Sequence, residues 1–196
     1  MLAGFDRLAV QRVHGGPALG DVASHFLPPG VPEFDEAGGR AGPGVDFLRH
    51  ASGDLALARS YLRRAGFRSG RYRGPPILAV GDNSAEGRKV AEVTQAQLAR
   101  LGFSVRLREL AKDTMLTRYC YVPAARVQAC PNLGWIPDFL DPYPMLNATF
   151  NGAAIASVNN FNWPQLNDPR VNAVLDQLPG SPTWPSARGS ARRRIG

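Results

Sequence analysis

Pro76-Ile77-Leu78-Ala79-Val80 is a short apolar run bounded by turn residues, and further on Phe103, Val105 and Leu107 alternate with Ser104, Arg106 and Arg108. The first run has the length and flanks of a buried strand. The second has the period of two expected of a strand with one wet face. Between them Val90, Val93, Leu98 and Leu101 recur at helical spacing. Asn83 or Ser84 stands where that helix needs an N-cap, Glu86 completes a capping-box pattern with Asn83, and Gly102 stands where the helix must stop. Strand, helix and strand in this order, followed by a further helix and strand, argue for a mainly parallel or mixed sheet, and the right-handed crossover rule stacks the helices on its faces. The fold class that follows is α/β.

Outward from this unit the pattern extends in both directions. Asp54 can cap a helix whose apolar positions are Leu55, Ala58, Leu62 and Ala65, with Gly66 just past its end. Upstream, residues 28–46 are rich in Pro and Gly and read as a surface crossover; no Gly-Lys-Ser/Thr follows any glycine cluster, so no phosphate loop is present. Before it, Phe5, Leu8, Ala9 and Val13 form a helical stripe that His14-Gly15-Gly16-Pro17 ends. Downstream, a helix is expected over Lys112 to Tyr119 and a further strand over Ala125 to Ala129. A short helix follows near Tyr143 to Phe150. Asp168 with Pro169 opens a last helix through Val171, Val174, Leu175 and Leu178. From Pro179 the chain has no periodicity and many breakers, the composition of a disordered tail.

The 196 residues suit one domain or one large lobe, and 44% apolar with 20% charged residues is ordinary for a globular protein. The net charge of +7 raises the alternative of a small basic nucleic-acid-binding module, which salt-dependent retention on DNA would reveal. The charge is dispersed, however, and Arg188, Arg192, Arg193 and Arg194 in the tail supply much of it, which argues against that alternative. No apolar run is long enough to span a bilayer, and the start Met1-Leu2-Ala3-Gly4-Phe5-Asp6-Arg7 shows no signal-peptide pattern. His14, His25 and His50 lack ligand spacing, so neither a metal nor a cofactor is expected. Cys120 and Cys130 are either two buried thiols or one short-loop disulfide, and the sequence leaves both open.

The most informative stretch is Gly134-Trp135-Ile136-Pro137-Asp138-Phe139-Leu140-Asp141-Pro142. It leaves the end of the α/β unit, where open sheets place ligands. Trp135 and Phe139 offer flat apolar faces, and Asp138 a carboxylate beside them, a combination suited to an ammonium group. Asp141 before Pro142 is better suited to capping a helix, while spacing leaves Asp138 open between cap and ligand contact. No nucleophile–base arrangement stands out, so no enzymatic activity is expected. Asn159-Asn160-Phe161-Asn162-Trp163 is a polar-aromatic loop that could line the same cleft or simply pack Trp163 onto the sheet.

In these residues the chain resembles the family 5 extracellular solute-binding proteins, the oligopeptide- and dipeptide-binding components of ABC importers. The similar stretches occur in order: Asp6-Arg7, then Gly15-Gly16-Pro17-Ala18 and Leu27-Pro28-Pro29-Gly30; Ala58 through Ala65-Gly66-Phe67; Gln97-Leu98 through Gly102-Phe103-Ser104-Val105; and Gly134-Trp135 through Asp138 to Asp141-Pro142. The cysteines resemble a pair seen in actinobacterial members. The resemblance implies an incomplete periplasmic-binding-protein type II-like lobe, with a mixed sheet flanked by helices. It implies a partial helix and crossover from a missing N-terminal lobe over 1–46, the ligand-binding lobe over 47–178, and a basic tail over 179–196. It also implies Trp135, Asp138 and Phe139 as ligand contacts, a peptide or similar solute as ligand, ABC permease subunits as partners, and an extracytoplasmic location.

Overall fold

A computed structural model describes residues 1–136 and 140–178. Asp138, Phe139 and the tail from Pro179 therefore lie outside the described residues. The centre is the expected unit: strand β1 (Ile77–Asp82), helix α3 (Ala85–Arg100) and strand β2 (Val105–Leu110). The strands pair in parallel, with Ile77 opposite Val105 and Asp82 opposite Leu110. β1 is buried along nearly its whole length, whereas β2 alternates between half-buried and exposed positions. Gly81 lets the crossover helix lie close to the sheet, since a Cβ there would sit 3.0 Å from Ala91 Cβ. Ser84 is the N-cap of α3 and its hydroxyl accepts from Gly87 N–H at 2.9 Å. Glu86 pairs with His14 instead of reaching back to close a capping box.

Helix α1 (Arg7–Val13) precedes this unit, as does α2 (Leu55–Arg64), whose N-cap Asp54 accepts from Leu57 N–H at 2.8 Å. The ends of α2 and α3 use the same device. Phe67 N–H bonds back to Leu62 O and Gly66 N–H to Arg63 O; likewise Phe103 N–H bonds to Leu98 O and Gly102 N–H to Ala99 O. These are Schellman motifs, each needing a left-handed residue after the helix, and Gly66 and Gly102 supply it with φ of 96° and 94°. The residue leaving each motif then turns into the core. Leu62, Leu98, Leu101, Phe103 and Ile77 are buried together with Ala3 and Ala58, and Tyr72 stacks on Phe103 at 4.1 Å. Each large side chain buried here contributes about 1.5–3 kcal/mol.

After β2 come α4 (Lys112–Met115), a π-helical turn (Leu116–Cys120), α5 (Pro142–Phe150) and α6 (Pro169–Gln177). Asp141 and Asp168 cap the last two, each followed by proline. The helix expected over Lys112 to Tyr119 is thus divided into an α and a π segment. The strand expected over Ala125 to Ala129 does not form. Pro123–Ala125 is a single 3-10 turn, Arg126 takes φ 49°, and Ala129 alone makes an isolated parallel bridge to Ala79. The reason is covalent. Cys120 and Cys130 are joined in a disulfide with their Cα atoms 6.1 Å apart. An extended chain would separate these positions by about 33 Å, so the loop must double back.

Candidate functional site

An open cleft of about 680 Å³ lies beyond the C-terminal end of β1. Its floor and walls come from α1 (Val10, His14), the face of α3 (Val90, Thr94), Lys112 at the start of α4, and the segment from Ala129 to Ile136. The start of α1 is held on α3 by one side chain: the Gln97 amide accepts from Asp6 N–H at 2.7 Å and donates to Asp6 O at 3.1 Å. At the far end of α1, His14 Nδ1 meets the Glu86 carboxylate from the first turn of α3.

The cleft segment is fixed by a residue that sequence patterning overlooked. Asp82, the last residue of β1, is buried, yet its carboxylate is surrounded by donors. Ser84 N–H donates to it at 3.1 Å, the Ser84 hydroxyl donates to the same oxygen, and Asn132 Nδ2 donates to the other at 2.6 Å. Lys112 Nζ stands 3.7 Å away and donates to Asn132 O at 2.8 Å. Burial pushes the carboxyl pKa up, but the hydrogen bonds from Ser84 and Asn132 and the Lys112 charge outweigh it and hold the group below the usual carboxylate range. Gly87 makes room for this arrangement, because a Cβ there would fall 2.2 Å from the Asp82 carboxylate. Asp82 thereby ties β1, α3, α4 and the 131–136 segment to one point.

Trp135 stands in the cleft wall and is also anchored from behind. Its ring meets Phe161 edge-on at 5.0 Å and Trp163 at 6.0 Å, and Tyr121 lies parallel to Trp163 at 6.4 Å. Ring pairs of this kind add about 0.5–1.5 kcal/mol each beyond their buried area. Three buried asparagines in and beside the polar-aromatic loop hold these rings in place. Asn162 donates to Asn151 O and Leu166 O and accepts from Leu166 N–H, all at 2.9 Å. Asn160 donates to Asn162 O at 2.7 Å and accepts from Ala156 N–H at 3.0 Å. Asn151 reaches Asn147 and Asp176, joining the loop to α5 and α6. The disulfide adds a covalent tie just before the cleft segment, and closing a loop of this size stabilises the fold by about 3 kcal/mol.

Of the residues picked out from sequence, Trp135 thus lines the cleft, and Asp141 acts as the N-cap of α5, accepting from Tyr143 N–H at 2.8 Å. Asp138 and Phe139 lie outside the described residues. Ile136, next to them, is 88% exposed at the open side of the cleft. Among the described residues no group of three or more metal-ligating side chains occurs, and no helix is long and apolar enough to cross a membrane.

Residues 7–157 match the model of the bacterial extracellular solute-binding proteins, family 5 Middle. The chain belongs to that family. Among solved structures it is similar to the clavulanic acid biosynthesis oligopeptide binding protein 2, with a TM-score of 0.75 and 26% identity over 92% of this chain and 32% of that one. It also shares its fold with the ABC transporter substrate-binding protein CtaP from Listeria monocytogenes, at a TM-score of 0.61 and 16% identity over 90% of this chain and 32% of that one. The chain therefore spans about a third of the length of these two proteins. No curated protein matches it.

Proposed function

We propose that this chain supplies one ligand-contacting lobe, residues 47–178, of a non-catalytic substrate-binding component of an ABC importer for peptides or similar solutes, acting outside the cytoplasm with ABC permease subunits as partners. One observation supports this most: a family 5 chain presents its open cleft at the C-terminal edge of the sheet, with the anchored Trp135 in the wall. Trp135, Asp138 and Phe139 are the proposed contacts. A carboxylate beside aromatic rings suits the α-ammonium group of a peptide through a charge-assisted hydrogen bond and cation–π attraction. The likeness to an oligopeptide-binding protein agrees with a peptide ligand.

The cleft is open, and tight solute binding needs a ligand buried over most of its surface. We therefore expect weak binding by the 196 residues alone. Calorimetric titration with a panel of short peptides should give dissociation constants on the order of millimolar, only about 4 kcal/mol of binding free energy. Micromolar or tighter binding by this chain alone would overturn that expectation.

A further inference from the structure

Contrary to the dispersed charge expected from the sequence, part of the positive charge is concentrated in one stretch. Residues 55–76 contain Arg59, Arg63, Arg64, Arg68, Arg71 and Arg73 and no acidic residue at all. The fold gathers these at the end of the sheet opposite the cleft, where α2 stops and the chain turns into β1. Arg59 and Arg63 lie one turn apart on α2, and Gly70 folds back against both: a Cβ there would stand 2.8 Å from Arg63 Nη1 and 3.1 Å from Arg59 Cβ. From the same loop Arg71 Nη1 donates to Arg100 O at 3.3 Å, which brings the exposed last residue of α3 into the patch. Among the described residues none of these arginines lies within ion-pair distance of a carboxylate. One carboxylate adjoins them, Asp46, and it accepts the Tyr61 hydroxyl hydrogen bond at 2.8 Å beneath the Arg64 guanidinium.

We propose that this arginine face is a docking surface for an anionic phospholipid bilayer. Guanidinium groups match phosphate oxygens in a planar, two-pronged geometry, and several unpaired ones on one face sum their attraction. The aromatic rings interleaved with them do not offer bases a stacking platform. Phe67, Tyr72 and Phe103 pack on one another at 5.0 and 4.1 Å, with Phe67 and Tyr72 against the core that Phe103 joins. Single-stranded nucleic acid needs such rings free, so the surface favours phosphate charge without base contacts. The chain's family is extracellular, where a bilayer surface is the extended array of phosphates at hand. Docked this way, the patch faces the bilayer while the cleft at the other end of the sheet stays open.

Flotation of the full chain with phosphatidylcholine vesicles, with and without phosphatidylglycerol, tests this. Binding should require phosphatidylglycerol and weaken as salt is raised. Replacing Arg63, Arg68 and Arg100 together by glutamine should weaken it about tenfold to a hundredfold. The same charge change at Arg12, Arg118 and Arg170, on α1, the π-helical turn and α6, should have little effect. The tail arginines are present in every variant and cancel, and unchanged thermal midpoints would confirm that the variants fold. Equal loss in both triple variants, no binding to anionic vesicles, or tighter binding to duplex DNA than to vesicles would each overturn the proposal.

Discussion

Asp82→Ala should lower stability by about 2 kcal/mol near neutral pH, because Ser84 and Asn132 lose the buried acceptor that joins them and Lys112 loses its counter-charge. The loss should depend on pH with a definite sign. The folded-state pKa of Asp82 is depressed, so its stabilisation is fully present above the unfolded carboxyl value of about 3.9 and disappears as pH falls through the lower folded value. Denaturant midpoints of wild type and variant should therefore lie far apart near pH 7 and draw together below about pH 4. A gap that persists unchanged at low pH would mean that side-chain volume, not ionisation, is what the site requires. Hydrogen exchange gives a local readout: Leu133 N–H, bonded to Cys130 O at 3.3 Å in the tethered segment, should lose protection in the variant.

Asn162→Ala should be comparably costly. Asn162 is fully buried and makes three side-chain hydrogen bonds to two stretches of backbone. Removing it takes the side-chain partner from Leu166 O and Leu166 N–H and leaves Asn151 O with only the Ala154 N–H bond, at about 1–3 kcal/mol for each group that water cannot reach. The expected net loss is about 3 kcal/mol, read from urea unfolding. Its structural consequence is at the cleft: Phe161 and Trp163 lose their backing, so Trp135 should become more mobile and its fluorescence red-shifted. A variant that keeps both its stability and the wild-type emission would show that the asparagine network does not organise the aromatic wall.

The two residues differ in how legible they were. The central β-α-β unit could be read from periodicity because burial repeats at two and at 3.6 along it, and the caps Asp54, Asp141 and Asp168 stand where their chemistry requires. Asp82 could not, since its role depends on Asn132, which is fifty residues away, and on a glycine that only the folded helix brings overhead. The Ala125 to Ala129 segment alternates apolar and polar residues as a strand would, yet the disulfide and Pro123 bend it, a covalent constraint that local patterning does not contain. Trp135 and the Asn159–Trp163 loop are both conspicuous in the sequence. What patterning could not decide was whether that loop and Trp135 meet, and they do.

Solute is proposed to bind at the face built around Trp135. A titration of the isotope-labelled chain with a short peptide, followed by nuclear magnetic resonance, tests it even when affinity is weak. The indole N–H of Trp135 and the amides of Asn132, Leu133 and Gly134 should shift together along one saturation curve, while those of Arg63 and Arg68 at the opposite end stay in place. Peptide-dependent shifts that bypass Trp135 and gather elsewhere would contradict the account.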